Sequence, residues 1–140
     1  MMPTGGDFID SNVILYLLHD GPKADRAEAV LSAGGTISVQ VLNEVLVNCV
    51  RKAGMPLAEA GEFLAGIRGL CRVVDLTVEM HDVGRAVAAR YGLSVYDSMI
   101  VAAALVAGCD RVLSEDMQDG LVIEGALRVV NPVAGLPSRA

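Results

Sequence analysis

Apolar positions along this chain change period several times, and each change marks an element. The run "DFID" (7–10) reads as a short strand, and "SNVILYLL" (11–18) continues at helical spacing until Gly21 and Pro22 break it. A more polar helix over "KADRAEAVLSA" (23–33) stops at Gly34 and Gly35, a C-terminal signal. "TISV" (36–39) reads as a second strand, with Ser38 placed to cap a long helix running to about Ala53. Pro56 opens the next helix within "MPLAEAGEFLAGIRGL", where Leu57, Ala60, Leu64 and Ile67 recur on one face. Then come a strand "RVVDL" (72–76), a helix opened by Thr77 and closed at Tyr91 and Gly92, and an apolar helix from Ser94 to Gly108. A strand "RVLS" (111–114), an acidic segment "EDMQDG" (115–120) and a last strand "LRVV" (127–130) complete the pattern.

Strands alternating with helices of ten or more residues imply parallel pairing and right-handed crossovers. The expected fold is a three-layer α/β/α domain with a central parallel sheet, filling residues 1–140 without linker, repeat or low-complexity tract. A chain of 140 residues is long enough to bury a core without staples. The hydrophobic share is 53% before the 15 glycines are counted, above the roughly 45–50% that usually includes glycine. That surplus suggests apolar surface for a protein partner, with Leu57, Phe63, Leu64 and Ile67 as candidates. The longest charge-free apolar stretch near the Ser94 helix, Ser98 to Cys109, is too short to span a bilayer. Asp7 and Asp10 interrupt the N-terminal apolar run and no basic residue precedes it, so no secretory signal is expected and the cytoplasm is the default. Cys49, Cys71 and Cys109, odd in number and widely spaced, read as reduced core residues.

Chemistry enters with the stretch "SVYDSMIVAAALVAG", which sets Asp97 three residues into an otherwise small, apolar run. Ser94 and Asp97 have the spacing of a capping box, which explains an acid there without any function. Other acids share its placement, however. Asp10 closes the first strand, Glu44 lies a turn and a half into the helix after the second, and Asp116 lies two residues past "RVLS". In open α/β sheets ligands gather outside the carboxyl ends of strands. Each acid has a bland alternative: a turn former at Asp10, a solvated stripe with Gln40, Asn48 and Arg51 at Glu44, loop acids at Asp116 and Asp119. Asp20, Asp25, Glu28, Glu59 and Glu62 fit only the bland reading, and His19 and His81 have no partner at ligand spacing.

Several carboxylates without a histidine or cysteine ligand suit hard cations such as Mg²⁺ or Mn²⁺, which prefer oxygen. Such ions activate water and stabilise leaving oxygens in phosphodiester hydrolysis. Seventeen acids against eleven bases, a net charge of −6, argue at first against nucleic acid. Gathering four of those acids around a cation accounts for most of the excess and reverses the local field a phosphate meets.

These segments together resemble the PIN domain. "FIDSNVILYLL" is similar to its opening, with Asp10 followed by Asn12; "SVQVLNEVL" is similar to its second segment, where the acid is Glu44. "GLSVYDSMIVAAALVAGCDRVLSEDMQDG" is similar to its third, carrying Asp97 and a tail in which Ser114 and Asp116 match. The resemblance covers nearly the whole chain and, for a stand-alone domain of this length, is to the VapC-type toxins of toxin–antitoxin pairs. It implies a metal-dependent endoribonuclease in which Asp10, Glu44, Asp97 and Asp116 hold Mg²⁺ or Mn²⁺, with Asn12, Ser114 and Asp119 in a supporting shell. It further implies an RNA substrate, a cognate antitoxin that inhibits near the site, a homodimer and no membrane. The alternative is a PIN-like module that binds protein or RNA without hydrolysis; all four acidic positions being filled favours the enzyme. Arg51, Lys52, Arg68, Arg72, Arg85 and Arg90 are the cations available for RNA.

Overall fold

Strand β1 (Asp7–Ile9) is the centre from which the sheet is built. The computed structural model describes residues 6–137; residues 1–5, part of the segment read as lacking a secretory signal, lie outside them. After β1 come α1 (Ser11–Leu15) with a 3₁₀ turn (Tyr16–Leu18), α2 (Pro22–Ser32), β2 (Gly35–Ser38), α3 (Val39–Arg51) and α4 (Leu57–Leu70). There follow β3 (Cys71–Val74), α5 (Val78–Tyr91), α6 (Val95–Val106), β4 (Arg111–Leu113), β5 (Val122–Ile123) and β6 (Leu127–Val130). The strand order is β3-β2-β1-β4-β6-β5. Every pairing is parallel except β5 with β6.

This order fixes where the helices lie. The connections β1 to β2 and β2 to β3 both step in one direction, so right-handed crossovers put α1 to α4 on one face. The connection from β3 returns across β2 and β1 to β4, which puts α5 and α6 on the other. The direction in which successive strands are added therefore reverses between the parallel neighbours β1 and β4, and a crevice opens at their carboxyl ends. Adjacent residues Phe8 and Ile9 point to opposite faces and are both fully buried, as expected of a sheet covered on both sides. The α6 run Ile100–Ala104 is buried throughout, its small residues letting that helix lie close to the sheet.

Helix ends follow local signals. Ser38 Oγ accepts from Val41 N–H and Thr77 Oγ1 from Met80 N–H. Gly92 closes α5 at φ 69°, a left-handed cap that a side chain would strain. The structure corrects the sequence reading in three places. The first helix is α-helical for five residues only and then tightens to a 3₁₀ turn. A two-residue strand, β5, was not expected, and it makes the sheet mostly rather than wholly parallel. The apolar surplus also sits elsewhere. Ile67 is core, Phe63 and Leu64 are half-buried, and of that predicted set only Leu57, 68% exposed, is open. The larger exposed group is Val47 on α3, Leu76 and Val78 before and at the start of α5, and Val95 and Tyr96 at the start of α6.

All three cysteines are free, two of them buried, and burial pushes each thiol pKa up. Among the described residues no helix is long and apolar enough to cross a membrane. Gly35 matters to packing beneath the crevice, because a Cβ there would lie 2.8 Å from Ile9 Cδ1 and 3.1 Å from the Asp7 carbonyl oxygen. Gly35→Ala is therefore expected to press on β1 and lower stability by about 1–3 kcal/mol, measured by chemical denaturation. An unchanged midpoint would show that β1 yields freely.

Candidate active site

Asp10 is the residue that leaves β1 and starts α1, and it is 4% exposed. Its backbone N–H reaches across to the Leu113 carbonyl (3.0 Å), tying the end of β1 to the end of β4. Its carboxylate is held from three sides. Oδ1 accepts from Ser11 N–H (2.7 Å), while Oδ2 accepts from Ser114 Oγ (2.8 Å) and Asn12 Nδ2 (3.2 Å). Those bonds do not fully replace lost hydration. Burial raises the Asp10 pKa to about 6 against the lowering effect of its donors, and Glu44 and Asp97 push it further up.

Glu44 projects from α3 toward the same edge. Its Oε1 accepts from Ser11 Oγ (2.9 Å) and its Oε2 from Gln40 Nε2 (3.0 Å), one helical turn earlier. Gln40 also donates to the Tyr96 carbonyl (3.2 Å), joining α3 to the start of α6. Ser94 caps α6 by accepting from Asp97 N–H (3.2 Å), which is the serine half of the expected capping box. The Asp97 pKa is raised, first by desolvation, then by the charges of Asp116 and Glu44, with Ser94 opposing. Asp97 thus sits in the first turn of a Ser94-capped helix and is a member of an acidic group at once. Asp116 receives Asn12 Nδ2 on Oδ2 (3.1 Å), and its backbone N–H donates to Ser114 Oγ (3.2 Å).

Asn12 and Ser114 bind the two sides of the crevice together. Ser114 is fully buried, and its Oγ donates to Asp10 while accepting from Asn12 Nδ2 (3.1 Å) and Asp116 N–H. Asp119 takes no part in this network. Its Oδ1 accepts from Asn131 N–H (2.9 Å) beyond β6. Sequence reasoning also missed Ser11 and Gln40. Ser11 adjoins Asp10, and Gln40 stands four residues before Glu44, a spacing that puts both on one helix face. Of the expected RNA-facing cations, Arg68 and Arg72 flank the start of β3, at the opposite edge of the sheet. Arg90 is paired with Glu124 in the β5–β6 turn (2.7 Å).

The donor set is oxygen throughout, with neighbouring like charges adding to the raised pKa of Asp10 and Asp97, which suits a hard divalent cation. Among the described residues no three His, Cys, Asp or Glu side chains close on a single point tightly enough to hold an ion. Mg²⁺ needs only one or two carboxylates directly, with waters completing its octahedron. The residues present therefore fit such an ion.

A mostly parallel α/β sheet with an acid-lined crevice at its switch point defines the class. The chain belongs to the PIN domain family, whose model matches residues 8–118. Its fold is similar to that of a toxin–antitoxin complex from Klebsiella pneumoniae, at 21% identity and TM-score 0.67, covering 90% of this chain and 97% of that one. It is also similar to the sarcin-ricin-loop-cleaving toxin VapC20 of Mycobacterium tuberculosis, at 19% identity and TM-score 0.64, covering 79% and 89%. DNA-bound VapBC from Salmonella typhimurium matches at 19% identity and TM-score 0.67, covering 90% and 97%. No curated protein matches the chain in sequence.

The raised Asp10 pKa gives the site a pH signature. Between about pH 4 and 6 the unfolded chain has released a proton that folded Asp10 keeps, so rising pH removes stability, on the order of 3 kcal/mol when complete. A bound cation requires the ionised form. Mn²⁺ is thus expected to bind about tenfold more tightly at pH 7 than at pH 5, measured by calorimetric titration. Equal affinity at both would show that Asp10 does not ligate.

Proposed function

We propose that this protein is a Mg²⁺- or Mn²⁺-dependent endoribonuclease, the toxin of a toxin–antitoxin pair acting in the cytoplasm. The observation that carries the reading is the gathering of Asp10, Glu44, Asp97 and Asp116 at the β1–β4 crevice of a PIN domain. The fold's likeness to VapC20 and to toxin–antitoxin complexes supports RNA and an antitoxin as partners.

The four carboxylates would surround the cation, one or two of them directly and the rest through its waters, and the chain's other polar residues hold the carboxylates. Ser11 and Gln40 fix the two oxygens of Glu44. Ser114 and Asn12 fix Asp10 and keep Asp116 beside it. When bound, the cation lowers the pKa of a water for attack on phosphorus and offsets the charge that builds on the phosphate oxygens. Burial around Asp10 strengthens every electrostatic interaction there.

The non-catalytic alternative separates cleanly by experiment. Asp97→Asn relieves repulsion in the metal-free protein and removes a ligand. It is expected to melt no lower than wild type without metal, bind Mn²⁺ more weakly, and cleave RNA at least about 100-fold more slowly. Wild type but not Asp97→Asn should arrest growth when expressed, with arrest relieved by co-expressing the antitoxin. Wild-type protein that leaves RNA intact at millimolar Mn²⁺ would replace the enzyme with a binding module.

The homodimer has a specific surface. Val47, Leu76 and the 72% exposed Tyr96 line, with Gln40, Asn43 and Glu44, an open cavity of about 500 Å³, and Val78 and Val95, close to Leu76 and Tyr96 in the chain, are also exposed. A second copy covering it would set two acidic crevices side by side. Light scattering at micromolar concentration should give twice the chain mass for wild type and a single chain for Tyr96→Ser. A wild-type monomer would remove the dimer.

A further inference from the structure

Next to the acidic crevice lies a polar cluster of opposite character. Lys23, in the first turn of α2, is only 9% exposed, and its Nζ lies 2.7 Å from Glu115 Oε2. The same nitrogen is 3.4 Å from the Tyr16 hydroxyl and 5.1 Å from the centre of that ring. The Tyr16 hydroxyl donates to the other carboxylate oxygen, Glu115 Oε1. Both oxygens of Glu115 are thus engaged by residues 99 and 92 positions away in the chain. A lysine taken this far out of water is tolerated only with a partner, and Glu115 is that partner.

Glu115 stands between Ser114 and Asp116, and its backbone N–H donates to Asn12 Oδ1 (3.1 Å). With Oδ1 occupied, the Asn12 amide can present only Nδ2 to Asp10, Ser114 and Asp116. Reversed, it would set an oxygen against two carboxylates. The orientation of the residue that bridges the crevice therefore depends on where the Glu115 backbone sits, and Lys23 and Tyr16 hold the Glu115 side chain.

We propose, resting on the nuclease reading above, that Lys23, Tyr16 and Glu115 form a positioning clamp for the metal site. The clamp pins residues 114–116 against α1 so that Asn12 faces Asp10 and Asp116, and it keeps the Glu115 carboxylate out of the ligand set. Removing the ammonium leaves Glu115 half-buried and uncompensated beside Asp116. The side chain then turns to water and draws its backbone away from Asn12.

The test compares wild type with Lys23→Met, Lys23→Arg and the double variant Lys23→Met/Glu115→Gln. It reads Glu115 amide exchange and Asn12 side-chain NH₂ signals by NMR without metal, Mn²⁺ affinity by calorimetry, and kcat and KM on RNA. Lys23→Met should speed Glu115 exchange, shift the Asn12 signals, weaken Mn²⁺ binding about 10–100-fold and lower kcat similarly, with KM little changed. Lys23→Arg keeps the charge and should stay near wild type. The double variant removes both charges and should recover most of the loss.

The clamp is overturned if Lys23→Met lowers only the melting temperature while Glu115 exchange, Asn12 signals and Mn²⁺ affinity stay as in wild type. Should Lys23→Met fail to fold, Tyr16→Phe deletes a single hydroxyl and must shift the same signals in the same direction; no shift overturns the clamp. Wild type that cleaves no RNA ends the nuclease reading alone, because the NMR readout needs neither activity nor metal.

Discussion

Asp10 loses most of its hydration where β1 ends, and the surrounding residues are arranged around that loss. Its backbone N–H and the Leu113 carbonyl seal β1 to β4, and its carboxylate draws in Ser11 from α1 and Ser114 from β4. The crevice exists because crossover handedness sends helices to opposite faces on either side of this strand pair. A carboxylate in such a crevice is shielded on both sides by covered strands. Three donors leave its pKa raised to about 6, so the fold holds Asp10 in a state that a cation would improve. The surrounding acids deepen that tendency, since Glu44 and Asp97 push in the same direction.

Local signals made most of the fold legible. The caps at Ser38, Thr77 and Ser94 and the glycine end of α5 each act within one helical turn, so a linear reading finds them. β5 escaped because two residues carry no period; it exists through pairing with β6 and a turn in which Glu124 and Gly125 both take positive φ. The surface was misjudged for a related reason. Leu57, Leu64 and Ile67 recur at helical spacing, yet which part of an apolar stripe is covered depends on neighbouring elements, and Ile67 is buried while Leu57 is not.

The site was legible as a set of acids at strand ends and far less so as a network. Asp10, Glu44, Asp97 and Asp116 could be picked out because topology sends all four to one edge. Asn12 and Ser114 came only with the family resemblance, and nothing local announces that one amide spans two carboxylates and a buried hydroxyl. Lys23 is the extreme case. A lysine in a polar helix start reads as solvated charge, and only tertiary packing reveals it beside Glu115. Asp119 shows the converse, for its place in an acidic run suggested the site whereas its bond to Asn131 serves the chain beyond β6.

The net negative charge bears on the proposed RNA substrate through where the charges fall. Arg111 is held by Asp7 through two bonds at the start of β1 and β4. Arg90 is held by Glu124, and Lys23 by Glu115. Those cations are committed to joining elements, and two of the three pairs lie at the sheet edge away from the crevice. Lys23, the one of the three beside the crevice, has its charge taken up by Glu115, so these pairs leave the negative charge of the acids uncompensated. On the nuclease reading proposed above, an ion in the crevice would do more than activate water: it would also offset the negative charge that a phosphate meets at these acids.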